Sequence, residues 1–244
     1  DRGMTFQFDR PAAAAAGAPS AWSATAHAIT LNLPQAFYRS EAGTDFYSEL
    51  ETAIELAAKA HLQKRQLLRK FTDRASGTFG SGLGWTAEGL RFDEFEYAVG
   101  IAGLNEAVRL LSSEEILGSD AAVRLALRIV SYIYFRLREE STRHGLKLVL
   151  EDVPVADASD RFVRIDGQLY PRARGLLADR TRYTPGFRVR GAPSFEALGV
   201  EARFHTLVPT ARATVERSRL SAAELFAILG KLHSETQASR LAVE

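Results

Sequence analysis

Apolar and polar residues alternate with a period of two in the segment HAITLNLPQAF, close to the start of the chain. Ile29, Leu31 and Leu33 alternate there with polar residues, and Asn32 lies on the polar side. This period predicts a strand with one apolar and one polar face. Pro34 should end the strand, because proline has no N–H to donate to a sheet.

Two longer segments have the apolar spacing of amphipathic helices. The first covers residues 44–70, with Thr44 in the position of an N-cap. The second covers residues 119–145, where Ser119 precedes the apolar stripe and Gly145 follows it. Serine at the start and glycine at the end are the residues that helix caps prefer, so both segments are predicted as long helices.

The segment FEYAVGIAGLNEAVRLL, residues 95–111, also has apolar residues at helical spacing, and it contains Gly100 and Gly103. An interior glycine costs a helix about 1 kcal/mol relative to alanine. The pattern therefore predicts a helix whose glycines either let another backbone approach closely or belong to a functional site.

Shorter patterns complete the predicted fold. Strands are predicted in LKLVLEDVP, RFVRID and EARFHTLV, and a final helix in SAAELFAILGKLHSE, where Ser221 and Glu224 suit a capping box. Long helices that alternate with single short strands favour an α/β fold, layered or barrel-shaped, over a helical bundle.

Two segments of small residues are predicted to lie outside the core. PAAAAAGAPSA covers residues 11–21, and we therefore predict a flexible arm over residues 1–25 and one α/β domain over residues 26–244. ASGTFGSGLGWTAEG covers residues 75–89 and lacks the GK[ST] ending of a phosphate-binding loop, so a plain loop is predicted.

Composition excludes several classes of function. The formal net charge of +1 gives no general attraction to nucleic acid or membranes, and no apolar run is long enough to span a bilayer. The 244 residues include no cysteine, which excludes disulfides, thiolate metal sites and thiol radicals within this chain. The five histidines lack metal-ligand spacing. We expect no metal, no cofactor and a cytoplasmic location.

Arginine is concentrated between residues 161 and 190, where lysine is absent and Asp166 and Asp179 are the only acids. Guanidinium groups bind phosphates or carboxylates with two parallel hydrogen bonds. The stretch is therefore either a phosphate or nucleic-acid site or a surface with internal ion pairs, for example with Glu139 and Glu140. The candidate phosphate-binding residues, which flank predicted turns, are Arg172, Arg174, Arg180 and Arg182.

Six segments, in order, resemble the large subunit of anaerobic (class III) ribonucleotide reductase. ITLNLPQAFYRS resembles that family's strand vtiNLPRiAY, and AHLQKRQLL its helix L..kR..L. GIAGLNEAVRLLSSEEILG is similar to G..GLNE....LtGee.g, and LEDVPVADASDRFVRID to leaTPAEs.a.Rfa.lD. RYTPGF and VEARFHTL stand in the places of yYTNs.h and E..fh.l, so the similarity covers roughly residues 26–215.

The resemblance implies an α/β fold, part of a barrel of the ribonucleotide-reductase and glycyl-radical type, with strands surrounded by long helices. It implies that Asn32 is an active-site asparagine facing the barrel interior, while Leu31 and Leu33 pack against the outer helices. It also implies that residues 153–159 belong to a loop that holds substrate phosphates. The implied substrate-binding residues are Asn32, Pro154, Ala156, Ser159 and Thr184.

Several residues depart from the family pattern. The family uses a cysteine thiyl radical generated by a glycyl radical, and this chain has no cysteine. In the phosphate loop Val153 stands where the family has threonine, Asp157 and Asp160 add negative charge, and Pro185 replaces the asparagine of YTN. No catalytic residue is therefore assigned.

The sequence thus predicts a ribonucleotide-reductase-like protein that is catalytically degenerate and keeps a nucleotide-binding or assembly role. One alternative is a piece of a split or incompletely observed anaerobic ribonucleoside-triphosphate reductase. The other is an arginine-rich module that binds phosphate or nucleic acid. The expected partners are nucleotides, together with a second chain that completes the barrel or a second copy of this chain.

Overall fold

The computed structural model describes residues 4–7, 25–74, 94–153, 155–176, 181–189, 194–208, 210–215 and 221–243. The strands in these ranges are β1 (Met4–Gln7), β2 (Thr25–Asn32), β3 (Glu96–Ala102), β4 (Lys147–Leu150), β5 (Ala213–Val215) and β6 (Arg240–Val243). The helices are α1 (Leu33–Ser40), α2 (Phe46–Arg74), α3 (Leu104–Ser112), α4 (Asp120–His144), α5 (Ala156–Leu169), α6 (Pro171–Leu176), α7 (Phe195–Phe204) and α8 (Ala222–Glu235), with a 3₁₀ turn at Ile116–Gly118.

The strands β2, β3 and β4 form a parallel sheet with β3 in the centre. Helices α1 and α2 connect β2 to β3, and α3 and α4 connect β3 to β4. Since all three strands run in the same direction, their carboxyl ends meet at one edge of the sheet. The predicted α/β class is confirmed. The described strands, however, form this sheet and a second one in the order β1–β6–β5, and they do not close into the expected barrel.

The main core lies between this sheet and its connecting helices. Leu31 and Leu33 are at most 4% exposed and pack with Ile54 of α2 and Ile129 of α4, both fully buried. Each such side chain contributes about 1.5–3 kcal/mol when it is removed from water. Of the three residues predicted to form the apolar face of the strand, Leu31 is buried in β2 and Ile29 is partly buried there, whereas Leu33 is buried as the first residue of α1. The strand ends at Asn32, two residues before Pro34.

The prediction of one helix over residues 95–111 is wrong. Residues 96–102 form β3, and a helix begins only at Leu104. A central parallel strand is covered on both faces and is apolar throughout, so it has no alternation that separates it from a buried helix. A Cβ on Gly100 would lie 2.1 Å from Val153 Cγ2, and Gly103 has a φ of +80° at the strand–helix junction. The missing Cβ atoms leave room for the Val153 side chain at Gly100 and for the Pro34 ring at Gly103.

Two predicted strands are helices. RFVRID lies within α5 and EARFHTLV begins within α7. The buried residues of α5 are Ser159, Val163 and Asp166, which lie at helical spacing. Because two of them are polar, the sequence shows no apolar stripe that would indicate a helix. In α7 the buried Glu201 likewise interrupts the apolar stripe that would indicate a helix.

Most helix boundaries follow the sequence. Ser119 caps α4 by accepting from the Ala122 N–H, and Gly145 ends that helix with a φ of +56°. The capping box at the start of α8 is also present. Helix α2 begins two residues later than predicted, because the Asp45 carboxylate, rather than Thr44, accepts from the first backbone N–H groups.

The predicted loop at residues 75–89 and the small-residue segment at 11–21 lie outside the described residues. Within the predicted arm, residues 4–7 form β1 and pair antiparallel with β6. The division of the chain at residue 25 stays a prediction. Among the described helices, none is long and apolar enough to cross a membrane.

Candidate functional site

Asn32 lies where β2 ends and α1 begins. Its side chain caps the helix and donates a hydrogen bond to a buried carboxylate. Its Oδ1 accepts a hydrogen bond from the Gln35 N–H at 3.3 Å, which caps α1. Its Nδ2 donates to Asp166 Oδ2 at 2.8 Å. One amide hydrogen of Asn32 then has no partner among the described residues.

Asp166, on α5, is fully buried and accepts three hydrogen bonds. Besides the bond from Asn32, Gln35 Nε2 donates to its Oδ1 at 3.0 Å and Tyr183 Oη donates to its Oδ2 at 2.8 Å. We call these four residues the Asp166 cluster. Burial raises the pKa of Asp166, and the three donors act in the opposite direction by stabilising the carboxylate.

Glu106 fixes the neighbouring segment. Its carboxylate, 1% exposed in the first turn of α3, accepts from the Thr184 N–H at 3.1 Å and from Thr184 Oγ1 at 2.8 Å. The Thr184 carbonyl in turn accepts from the Gly103 N–H at 2.8 Å. These bonds hold residue 184 beside the carboxyl end of β3, and Tyr183 thereby reaches Asp166.

Asn105 has a different role from the neighbouring Glu106. It is fully buried, and its Oδ1 accepts from the Ile116 N–H at 3.1 Å. This bond ties the start of α3 to the 3₁₀ turn that precedes α4. Asn105 is therefore a structural residue, whereas Glu106 organises the site.

The predicted phosphate loop leads into α5. Val153 and Val155 are at most 9% exposed, and Val155 gives the helix no side-chain cap. Ser159 is fully buried, and its Oγ has no hydrogen-bond partner among the described residues. Asp166 follows Ser159 by two helical turns on the same face. Pro154 lies outside the described residues, as does the side chain of Ala156.

The described members of the predicted arginine site have partners within the chain. Arg172 forms an ion pair with Glu41, and Arg182 lies 3.1 Å from Asp160. Arg174 donates to the Gly167 carbonyl at 3.1 Å. Arg180 lies outside the described residues.

Glu139 and Glu140, considered above as partners, instead pair with Arg136 and Arg143 of their own helix. The contacts favour the interpretation as surface ion pairs. Phosphate binding by the arginines stays a prediction.

Replacing Arg172, Arg174 and Arg182 together with glutamine should change the free energy of unfolding by less than about 1 kcal/mol for each exposed pair. Urea unfolding of both proteins checks this result. In the same variant, salt-dependent binding of an oligonucleotide should equal that of the wild type. A steep, salt-sensitive loss of binding would support the phosphate interpretation instead.

Sequence reasoning assigns Asn32, Ser159 and Thr184 to the site, and all three lie near the carboxyl edge of the sheet. It does not identify Gln35 or Asp166 as functional. A signal for Asp166 is present, since it is one of two acids in an arginine-rich stretch. Its burial could not be inferred, because the pattern of RFVRID predicts a strand.

Comparison with known proteins identifies a family. Residues 9–214 match the family model described as anaerobic ribonucleoside-triphosphate reductase. No curated protein matches the chain.

Solved structures of anaerobic ribonucleotide reductases share the fold. The enzyme from Thermotoga maritima in complex with dATP and CTP is 15% identical, with a TM-score of 0.68, and the alignment covers 88% of this chain and 36% of that one. The same enzyme with dATP in its specificity site has a TM-score of 0.69 at 15% identity, with the same coverage of both chains. Another anaerobic ribonucleotide reductase reaches 0.71 at 14% identity, with 88% and 34% covered. The chain thus spans about a third of the length of these structures.

Proposed function

Since the chain belongs to the anaerobic ribonucleoside-triphosphate reductase family, we propose that it forms a nucleotide-binding part of the reductase fold and reduces no ribonucleotide by itself. The observation that carries this proposal is the Asp166 cluster at the carboxyl edge of the parallel sheet. Ligands of open α/β sheets bind at this edge, in the crevice outside the strand ends.

Two groups at this edge suit a nucleotide. Asn32 keeps one amide hydrogen for a ligand, and the first turn of α5 has backbone N–H groups without a side-chain cap. Such a helix start favours negative charge, which a phosphate would supply beside the carboxylate of Asp157 in the same turn. A related enzyme has been solved with dATP and CTP, which supports nucleotides as the ligand class.

The reduction of a ribonucleotide requires a group that this chain does not contain. Hydrogen abstraction from ribose in this family requires a cysteine thiyl radical, and none of the 244 residues is cysteine. Asn32, Asp166 and Glu106 can bind and orient a nucleotide, but they supply no such radical. A reaction would need a thiol from another polypeptide segment.

The purified chain should bind CTP or dATP in isothermal titration calorimetry and form no deoxynucleotide, with or without an activating radical enzyme. Asn32→Ser keeps a side-chain oxygen for the N-cap and removes the amide hydrogens without adding a charge beside Asp166, so it should weaken binding at least about tenfold while the helix stays formed. Circular dichroism checks the fold of the variant. Deoxynucleotide product from this chain alone would refute the proposal.

A split reductase is the alternative, and it is supported by the place of Asn32 and Glu106 at the carboxyl edge of the parallel sheet. It makes a distinct prediction, because a cysteine-bearing polypeptide from the neighbouring genes should then restore product formation. Without such restoration, the nucleotide-binding role is the better account.

A further inference from the structure

A cavity of about 300 Å³ lies beside β2, between that strand, α1, α2 and α5. Its apolar walls include Ile29, Leu31, Ala53, Leu56 and Phe162. Its polar lining includes Asn32 and Gln35, together with the ion pair of Arg39 and Glu49 at 2.8 Å. Apolar walls with a few placed polar groups are the usual lining of a small-molecule site, and this volume is at the lower end of such sites.

Asp166 determines which atoms of the two amides reach this cavity. A carboxylate only accepts, so Asn32 and Gln35 must both turn their NH₂ groups toward Asp166. The Oδ1 of Asn32 is occupied by the cap of α1. The Oε1 of Gln35 accepts no hydrogen bond among the described residues, and each of the two amides keeps one N–H beyond its bond to Asp166. The two amides therefore offer one acceptor and two donors.

Asp166 itself stands behind the amides. It is fully buried and is not among the residues that line the cavity. Tyr183, also fully buried, donates its hydroxyl at 2.8 Å to the same Oδ2 that accepts from Asn32. Burial strongly raises the pKa of Tyr183, so its hydroxyl keeps the proton that it donates.

We propose that Asp166 is the positioning residue of the nucleotide site, holding Asn32 and Gln35 so that a nucleobase in the cavity meets the amide acceptor of Gln35 beside amide donors. A nucleobase edge displays donors and acceptors side by side, and side-chain amides recognise such edges with paired hydrogen bonds. The inference rests on the proposed nucleotide-binding function and adds the place of the base and the residue that orients its contacts.

A double-mutant cycle tests this proposal, with CTP and inorganic tripolyphosphate as the probes in calorimetry. Asp166→Asn puts an NH₂ group where the amides need an acceptor, and Gln35→Met removes the cavity acceptor. Each should weaken CTP binding at least about tenfold, and the double variant should lose much less than the product of the two. Tripolyphosphate, which has no base, should bind the variants and the wild type equally. Asp120→Asn, an exposed position in the first turn of α4, is the matched control and should leave CTP binding unchanged.

The other outcomes separate the two proposals. If the wild type binds CTP and Asp166→Asn binds it equally well, the positioning role is wrong while nucleotide binding stands. Equal losses for CTP and tripolyphosphate indicate a purely structural carboxylate and also overturn the inference. If the wild type binds no nucleotide, the proposed function fails, and the positioning role fails with it. If Asp166→Asn does not fold, Gln35→Met decides, because unchanged CTP binding in that variant excludes the base contact.

Discussion

Replacing Gly103 with alanine should lower the free energy of unfolding by about 3 kcal/mol or more. Gly103 has a φ of +80°, a conformation that costs a residue with a Cβ about 1–2 kcal/mol. The added Cβ would also lie 2.4 Å from Pro34 Cδ. The proline ring is rigid and lies in the first turn of α1, so relief requires movement of the backbone, and overpacking of this kind costs about 1–3 kcal/mol.

Gly145→Ala is the matched control for this substitution. Gly145 also has a positive φ, +56°, but a Cβ added there would meet nothing within 4 Å. This control should therefore lose only the conformational part, about 1–2 kcal/mol. Urea unfolding of the three proteins measures the difference. Equal losses in both variants would show that the contact with Pro34 has no energetic weight.

Acidification from pH 7.5 to pH 5 should cost about 2 kcal/mol of stability through one buried histidine. His61 is fully buried on α2, and its Nδ1 lies 3.2 Å from Nδ1 of His27. Its Nε2 lies 3.2 Å from the Ala98 carbonyl, which can only accept, so Nε2 carries the hydrogen and Nδ1 accepts from His27. Burial, followed by the neighbouring His27, lowers the pKa of His61 to about 4.

The sign of the effect follows from this lowered pKa. Between pH 6.5 and pH 4 the unfolded chain binds a proton at residue 61 that the folded protein does not bind. The stabilisation is therefore complete above pH 6.5 and is lost as the pH falls toward 4. Burial also lowers the pKa of His27, with a further contribution from Lys64, and this acts in the same direction.

Urea unfolding of His61→Phe over the same pH range checks this prediction. Phenylalanine keeps an aromatic ring against Tyr97, whose ring centroid lies 5.5 Å away, but it does not titrate. The variant should be less stable at pH 7.5, because the Ala98 carbonyl loses a donor, and its stability should depend less on pH. An unchanged slope in His61→Phe would assign the acid sensitivity to other groups.

Local sequence determined those elements whose signals lie within a few residues. The alternation in β2 places Leu31 in the core and Asn32 on the other face, because the side-chain period of a strand is two. Helices α4 and α8 begin and end at the residues that the sequence indicated, since a cap bonds to backbone groups only a few positions away. The absence of cysteine likewise limits the chemistry of this chain whatever its fold.

Whether the segments around the site are strands or helices was decided only by the tertiary structure. Whether YAVGIA is a strand depends on the two strands that flank it, because a strand covered on both faces has no polar period. The helices α5 and α7 were concealed by buried polar residues, Asp166 and Glu201, whose donors come from outside their own helices. The hydrogen bond between Asn32 and Asp166 joins residues that are 134 positions apart in the sequence. A buried carboxylate is tolerated only where such donors converge, and their convergence depends on the packing of α1, α5 and the strand ends.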